Sequence, residues 1–115
     1  MAQIGVDGDA IVVGLTPLER LAALHGDVRV PRASVAAVAP EDEPYKQLRG
    51  IRAPGTSWPN AIAYGVRRFT GGRPDFAALR GRGPAIRIEL DPPARFARLL
   101  VSVDDPAATV ARIRA

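Results

Sequence analysis

The stretch PAIRIELDPPARFARLLVSVDDPAATVARIRA, residues 84–115, carries most of the information about architecture. It contains two runs in which apolar residues alternate with other residues. Period-two alternation is typical of antiparallel strands that have one face on a core and the other in water. We predict a β-hairpin whose buried face carries Ile86, Ile88 and Leu90 on one strand and Ala97, Leu99, Val101 and Val103 on the other.

The end of the same stretch predicts an α-helix over residues 106–114. Asp105 can cap the helix, and Pro106 suits the first helical position. Arg112 and Arg114 fall at the C-terminal end, where the helix dipole favours cations. We expect its apolar residues, Ala107, Val110 and Ile113, to pack on a sheet.

The N-terminal residues predict a second hairpin and a short helix. Asp7-Gly8-Asp9 separates apolar runs at 3–6 and 10–15, and Asp-Gly between such runs favours a tight turn. Residues 17–25 then predict a helix, because Thr16 and Glu19 have the spacing of a capping box. Its apolar stripe would consist of Leu18, Leu21, Ala22 and either Leu24 or His25.

Three further strands are predicted at 27–30, 34–39 and 61–69, which makes about seven. Residues 41–60 hold three prolines and two glycines without sustained periodicity, so we predict a long irregular segment. No repeat or linker divides the chain, and residues 1–115 are predicted to be a single domain. The predicted class is α+β, mainly β: one bent antiparallel sheet or partly open barrel, with a short helix near 17–25 and a capping helix near 106–114.

This order of elements resembles the bacterial pleckstrin-homology-like (PH-like) domain family. The segments that carry the resemblance are VDGDAIVV, DVRVPRASVAAV, GVRRFTGGRPDFAAL, PAIRIEL and LLVSVDDPAATVARIRA. The resemblance implies a strongly bent sheet whose C-terminal helix plugs one open end. It also implies a protein that binds rather than catalyses. The helix at 17–25 departs from the simplest form of that fold.

Composition narrows the possible functions. The chain has no cysteine and a single histidine, His25, so disulfides, thiolate nucleophiles and cysteine-based zinc sites are excluded. A transition-metal site would need to consist almost wholly of carboxylates, and no motif for a cofactor is present. We therefore predict no metal and no cofactor. No secretion signal or long apolar span is visible, so we expect a cytoplasmic protein, either free or peripheral at the inner membrane face.

Positive charge is concentrated in residues 46–82. That segment has eight basic residues and one acidic residue, whereas the whole chain carries +4. Such a patch attracts anions, although arginines in loops also serve solubility alone. Trp58 is interpreted either as a lid on the core edge or as an aromatic contact. The candidate anion- or partner-binding residues are Arg49, Arg52, Trp58, Arg67 and Arg68.

Among partners, we expect a protein or a second copy of the chain, with an anionic lipid or small anionic ligand as alternatives. Nucleic acid is disfavoured because aromatic residues are only 5% of the chain. No catalytic residues are assigned, because neither Thr56 nor Ser57 lies in a nucleophile motif. The leading hypothesis is a non-catalytic binding module. The alternatives are a small enzyme with a pocket at the barrel mouth and a regulatory subunit of another protein.

Overall fold

The computed structural model describes residues 2–23, 25–58, 61–68, 70–81 and 83–114, without the side chains of 51–55 and 57. These residues form two sheets and two helices. The first sheet consists of β1 (Gln3–Asp7), β2 (Ala10–Gly14) and β3 (Val28–Pro31). The second sheet has six strands, namely β4 (Val35–Glu41), β5 (Ile51–Trp58), β6 (Ile62–Arg68), β7 (Asp75–Arg80), β8 (Ala85–Leu90) and β9 (Arg98–Ser102). The helices are α1 (Pro17–Ala23) and α2 (Pro106–Arg114).

The mainly β, α+β class is confirmed, whereas the single antiparallel layer is not. The larger sheet has the order β4-β8-β9-β7-β6-β5, and β7 pairs in parallel with β9. The predicted hairpins β1–β2 and β8–β9 are both present as antiparallel pairs. The strands of the described residues form no closed barrel. The prediction of one layer was wrong because β3 pairs only with β2, so the chain changes sheet before β4.

Strand β7 was missed because it is buried on both faces. Residues 75–79 are all buried, as are all five residues of β9. A strand covered on both sides has no alternation of apolar and polar residues, so period-two analysis cannot find it. The same burial contradicts the expectation that the predicted hairpin has one face in water, because Arg98, Leu100 and Ser102, which alternate with its predicted core residues, are buried as well. Of the predicted water-facing side of β8, only Glu89 is exposed.

Much of the segment 41–60 that was predicted to be irregular forms secondary structure, and its residues 59 and 60 lie outside the described residues. Pro44–Gln47 form a short 3₁₀ turn, and β5 follows as an edge strand of the larger sheet. Pairing between β5 and β6 shifts register between Arg52 and Gly55. Proline is compatible with an edge strand because one side of that strand makes no ladder hydrogen bonds. The strand therefore forms through its pairing with β6 rather than through local sequence preference.

The two sheets enclose one core, and the helices lie near opposite edges of the larger sheet. Residues from both sheets meet in a cluster that includes Ile11, Val30, Phe76, Ile88 and Leu99. Helix α2 contacts β1, β4 and β8, so it joins the two sheets as the predicted capping helix. Helix α1 contacts β5 and β6, and it ends at Ala23 rather than at residue 25.

Candidate functional site

Helix α1 turns a different face to the protein from the one its sequence predicts. Glu19 is only 3% exposed and Ala23 is fully buried, whereas Leu18 and Leu21 are 69% and 68% exposed. The predicted apolar stripe through Leu18 and Leu21 is therefore wrong. Leu24, which was considered as a further member, lies outside the described residues.

A capping box and a buried hydrogen bond explain this orientation. The Thr16 N–H donates to Glu19 Oε1 over 3.0 Å, and the Glu19 N–H donates to Thr16 Oγ1 over 3.2 Å. These bonds confirm the predicted capping box. The hydroxyl of Tyr64, on β6, donates to Glu19 Oε2 over 2.8 Å. Turning Leu18 and Leu21 inward would break this bond, which holds the helix to the sheet.

In the Glu19–Tyr64 pair, the environment favours an ionised carboxylate on Glu19 and a neutral phenol on Tyr64. Burial raises the pKa of Glu19, but the hydrogen bonds from Thr16 and Tyr64 lower that pKa by a larger amount in total. The pKa of Glu19 therefore lies below the ordinary value of 4.5. Burial raises the pKa of Tyr64 well above 10.0, and the adjacent Glu19 carboxylate raises it again. The phenol therefore keeps its proton and donates to a carboxylate at neutral pH.

A groove of about 240 Å³ lies between α1 and the larger sheet. We call it the α1 groove. Apolar side chains form most of its walls, and three side chains bring polar groups to it. Its lining residues are Leu18, Glu19, Ala22, Ile62, Tyr64 and Arg80.

Trp58 extends the apolar surface beyond the α1 groove. Trp58 on β5 is directly opposite Ile62 on β6, so the two side chains share a face of the sheet. Its side chain is 70% exposed, which does not fit the interpretation of a lid packed on the core edge. In the part of the chain that the structure describes, the exposed large apolar side chains are Leu18, Leu21 and Trp58. All three belong to α1 and its neighbouring strand β5.

Arg80 brings a positive charge to the α1 groove. Its backbone N–H donates to Ser102 Oγ over 2.9 Å, and the residue is exposed. Its register partner on β6 is Ile62, which lines the groove. Within the described residues, the guanidinium of Arg80 forms no ion pair. The groove therefore combines apolar walls with an exposed cation.

The structure places the predicted arginine Arg49 in a structural ion-pair cluster. Asp75 is buried at the start of β7, and Arg49 binds it through two contacts, Nε to Oδ2 at 2.6 Å and Nη2 to Oδ1 at 2.9 Å. Arg98 also contacts Asp75 Oδ2 at 3.3 Å and donates to the Gln47 carbonyl. The hydrogen bond to Asp75 raises the pKa of Arg49. Arg49 thus helps to neutralise a buried carboxylate.

Other arginines of the 46–82 segment hold backbone carbonyls. Arg67 donates to the carbonyls of Arg49 and Gly50, which brings two of the predicted residues together. Arg73 donates to three carbonyls, that of Leu90 at the end of β8 and those of Ala94 and Phe96 in the connection to β9. Arg68 is exposed. The side chain of Arg52 and the whole of Arg82 lie outside the described residues.

His25 lies in an aromatic cluster with two phenylalanines. Its ring centroid lies 5.2 Å from that of Phe76 and 6.0 Å from that of Phe96. No group of three or more His, Asp or Glu side chains that would hold a metal ion occurs in the described part of the chain. None of the helices described there has the length and apolar character required to cross a membrane.

Comparison with known proteins gives no family assignment. No protein-family model matches the chain, and neither a curated protein nor a solved structure matches it. The geometry of the α1 groove is therefore the basis for a functional proposal. Sequence patterns missed Tyr64 and Arg80 because both are distant from α1 along the chain. The one available signal was Glu19, whose place in a capping box predicted where its carboxylate lies on α1 but not that it is buried.

Proposed function

We propose that this protein is a non-catalytic interaction module that binds a segment of a partner protein in the α1 groove. The observation that carries the proposal is the exposure of Leu18, Leu21 and Trp58 beside a concave apolar site. Scattered single apolar residues are normal on protein surfaces, whereas several large ones grouped around a concavity are typical of interaction sites.

The size of the groove supports a protein side chain as its occupant. Sites for drug-sized ligands typically enclose about 300–1,000 Å³, whereas the α1 groove encloses about 240 Å³. A cavity of this size suits an anchoring side chain of a larger partner. The exposed leucines and Trp58 would then contact the surface around that anchor. Central aromatic and aliphatic anchors of this kind supply most of the free energy at many protein interfaces.

The polar groups of the groove support binding rather than catalysis. Each oxygen of the Glu19 carboxylate accepts a hydrogen bond that holds α1 in place. The raised pKa of Tyr64 keeps its hydroxyl protonated and directed at Glu19. Removing either group from this pair to perform acid–base chemistry would disturb the helix that forms the groove wall. The enzyme alternative therefore has less support than the binding module.

The remaining expectations stay predictions. They are membership in the PH-like family, a cytoplasmic location and recognition of an anionic ligand through the arginines. Arg49 and Arg67 already bind groups within the protein, which weakens support for a surface built on the arginines. The α1 groove depends on none of these expectations.

The proposal is tested by a double substitution of the exposed leucines of α1, Leu18→Ser in the groove lining with Leu21→Ser on the same helix; we call this the groove variant. Affinity purification from the organism's own lysate would compare this variant with the wild type and with a matched control, Ala36→Ser with Ala37→Ser. The control residues are exposed on β4, at the opposite edge of the larger sheet. We expect a protein retained by the wild type and the control to be lost with the groove variant.

That protein would then be purified and titrated, with the emission of Trp58 as the signal, because Trp58 is the only tryptophan. Saturable binding that the groove variant weakens at least 10-fold would support the proposal, since an anchor residue typically contributes more than about 1.4 kcal/mol. Equal retention and equal affinity for all three proteins would refute it.

A further inference from the structure

The exposed guanidinium of Arg80 gives the α1 groove a chemical preference. Arg80 lines the groove beside Ile62 and Tyr64, and it has no ion pair within the described residues. Its charge is near enough to the Tyr64 hydroxyl to lower the pKa of that group, against the larger opposing effects. An exposed cation at the edge of an apolar site favours a ligand that combines apolar and negative groups.

We propose that the partner segment carries a large apolar side chain next to an acidic residue, whose carboxylate pairs with Arg80. This inference rests on the proposed function, because it specifies the occupant of the same groove. The apolar side chain would enter between Leu18 and Ile62. The neighbouring carboxylate would meet Arg80 at the groove edge.

Glu19 does not supply the missing partner of Arg80. Glu19 is 3% exposed, and its two oxygens accept hydrogen bonds from the Thr16 N–H and the Tyr64 hydroxyl. Its charge is thus engaged beneath the surface, whereas Arg80 is exposed. An approaching carboxylate would meet the arginine before the buried acid, and charge complementarity favours an acidic segment.

A separate protein is a better occupant than a second copy or a membrane. The acidic run of this chain, Glu41, Asp42 and Glu43, is followed by Pro44, which is buried, and by Tyr45. The ring of Tyr45 packs on the core and its hydroxyl donates to the Gly81 carbonyl, so the run offers no protruding anchor to a second copy. A flat bilayer surface cannot fill a concave groove as a protruding side chain can. Both alternatives are outcomes of the experiment below.

The test uses a displayed library of random 12-residue peptides, panned on the full chain. Parallel selections would use the wild type, Arg80→Glu, and the Leu18→Ser, Leu21→Ser variant. We expect wild-type binders to be enriched in Asp or Glu within two positions of a large apolar residue. With Arg80→Glu the enrichment should change to Lys or Arg, because the charge at the groove edge is reversed.

Affinities of the best synthetic wild-type peptide make the test quantitative. Arg80→Gln should raise its Kd roughly 2- to 5-fold, the effect of an exposed ion pair, and Arg80→Lys should restore part of the affinity. The loss should shrink at high salt. Circular dichroism and thermal unfolding would establish that each variant folds like the wild type.

The outcomes separate this inference from the proposed function. Peptides that require Leu18 and Leu21 but show no acidic preference would overturn the inference and leave the binding module intact. Failure to recover any groove-dependent peptide would overturn both. Groove-dependent dimerisation in sedimentation velocity would assign the site to a second copy. Groove-dependent pelleting with vesicles of phosphatidylserine and phosphatidylcholine would assign it to a membrane, and either result would overturn the inference.

Discussion

Helices α1 and α2 lie at opposite edges of the larger sheet and are attached to it in different ways. Helix α2 buries Ile113 in the core and contacts strands of both sheets. Helix α1 buries Glu19 and Ala23, while Leu18 and Leu21 remain exposed. Helix α2 is thus held by a buried isoleucine and by arginine hydrogen bonds to the carbonyls of Ile4, Val38 and Ile113, whereas α1 is held by a hydrogen-bonded carboxylate and a buried alanine. Large apolar side chains left outside the core are available to a partner, whereas those inside serve stability.

We expect the largest loss of stability when the buried apolar residue of α2 is truncated. Ile113→Ala should lower the free energy of unfolding by about 2–5 kcal/mol, because it removes buried methyl groups and leaves a cavity. Leu21→Ala on α1 is the matched substitution and should change it by no more than about 0.5 kcal/mol. Urea denaturation followed by circular dichroism measures both. Similar losses at the two positions would show that the helices are not attached differently.

Removing the charge of Glu19 should have the next largest effect. Glu19→Gln should lower the free energy of unfolding at pH 7 by about 1.5–3 kcal/mol, because its hydrogen bonds are those of a charged acceptor. Because folding lowers the pKa of Glu19 below 4.5, its contribution is present above that pH and is lost as pH falls through the folded-state value.

The difference between wild type and Glu19→Gln should therefore shrink as the pH is lowered below about 4.5, the ordinary value for this carboxyl. Urea titrations at several pH values between 7 and 3 measure this difference. Asp7→Asn is a suitable control, because Asp7 pairs with Arg29 at the surface and its side chain is 72% exposed. A constant difference across the pH range would contradict the assigned role of Glu19.

Removing the cap of either helix should lower the free energy of unfolding by less than Glu19→Gln does. Thr16→Ala removes the hydroxyl that accepts the Glu19 N–H, and Asp105→Ala removes the carboxylate that accepts the Ala108 N–H over 3.1 Å. Each should lower the free energy of unfolding by about 0.5–2 kcal/mol. Thr16→Ala should additionally increase amide hydrogen exchange in α1, because α1 has less apolar packing to hold it. Equal exchange changes in both helices would show that their anchoring is equivalent.

A small effect on stability is expected from the pair of substitutions designed to weaken the proposed partner binding. Leu18→Ser with Leu21→Ser removes exposed side chains, so the free energy of unfolding should change by no more than about 1 kcal/mol in total. Differential scanning calorimetry would measure the change. A large loss of stability would mean that the two leucines serve the fold and would remove the physical basis of the proposed interface.

Local sequence signals predicted much of the fold and little of the candidate site. The Asp-Gly turn, the capping box at Thr16 and the Asp105 cap depend on residues close together in the chain, and each forms as predicted. The arginines were a plausible anion site because charge is visible in sequence. Their partners are not visible in the same way. Asp75 lies 26 positions from Arg49 in the chain. The position of Asp75 is determined by β7, which pairs with β6 on one side and with β9 on the other.

Which face of α1 is buried depends on contacts across the fold. Apolar spacing favoured Leu18 and Leu21. The Tyr64 hydroxyl instead donates to Glu19, 45 positions away, and so turns the Glu19 side of the helix toward the sheet. Local signals are sufficient for strand β2 and for helices α1 and α2, because turns, caps and periodicity act over a few residues. The parallel β7–β9 pair, the edge strand β5 and the α1 groove arise from long-range pairing and burial. Those interactions have no local signature, because each residue's partner is brought to it only when the chain has folded.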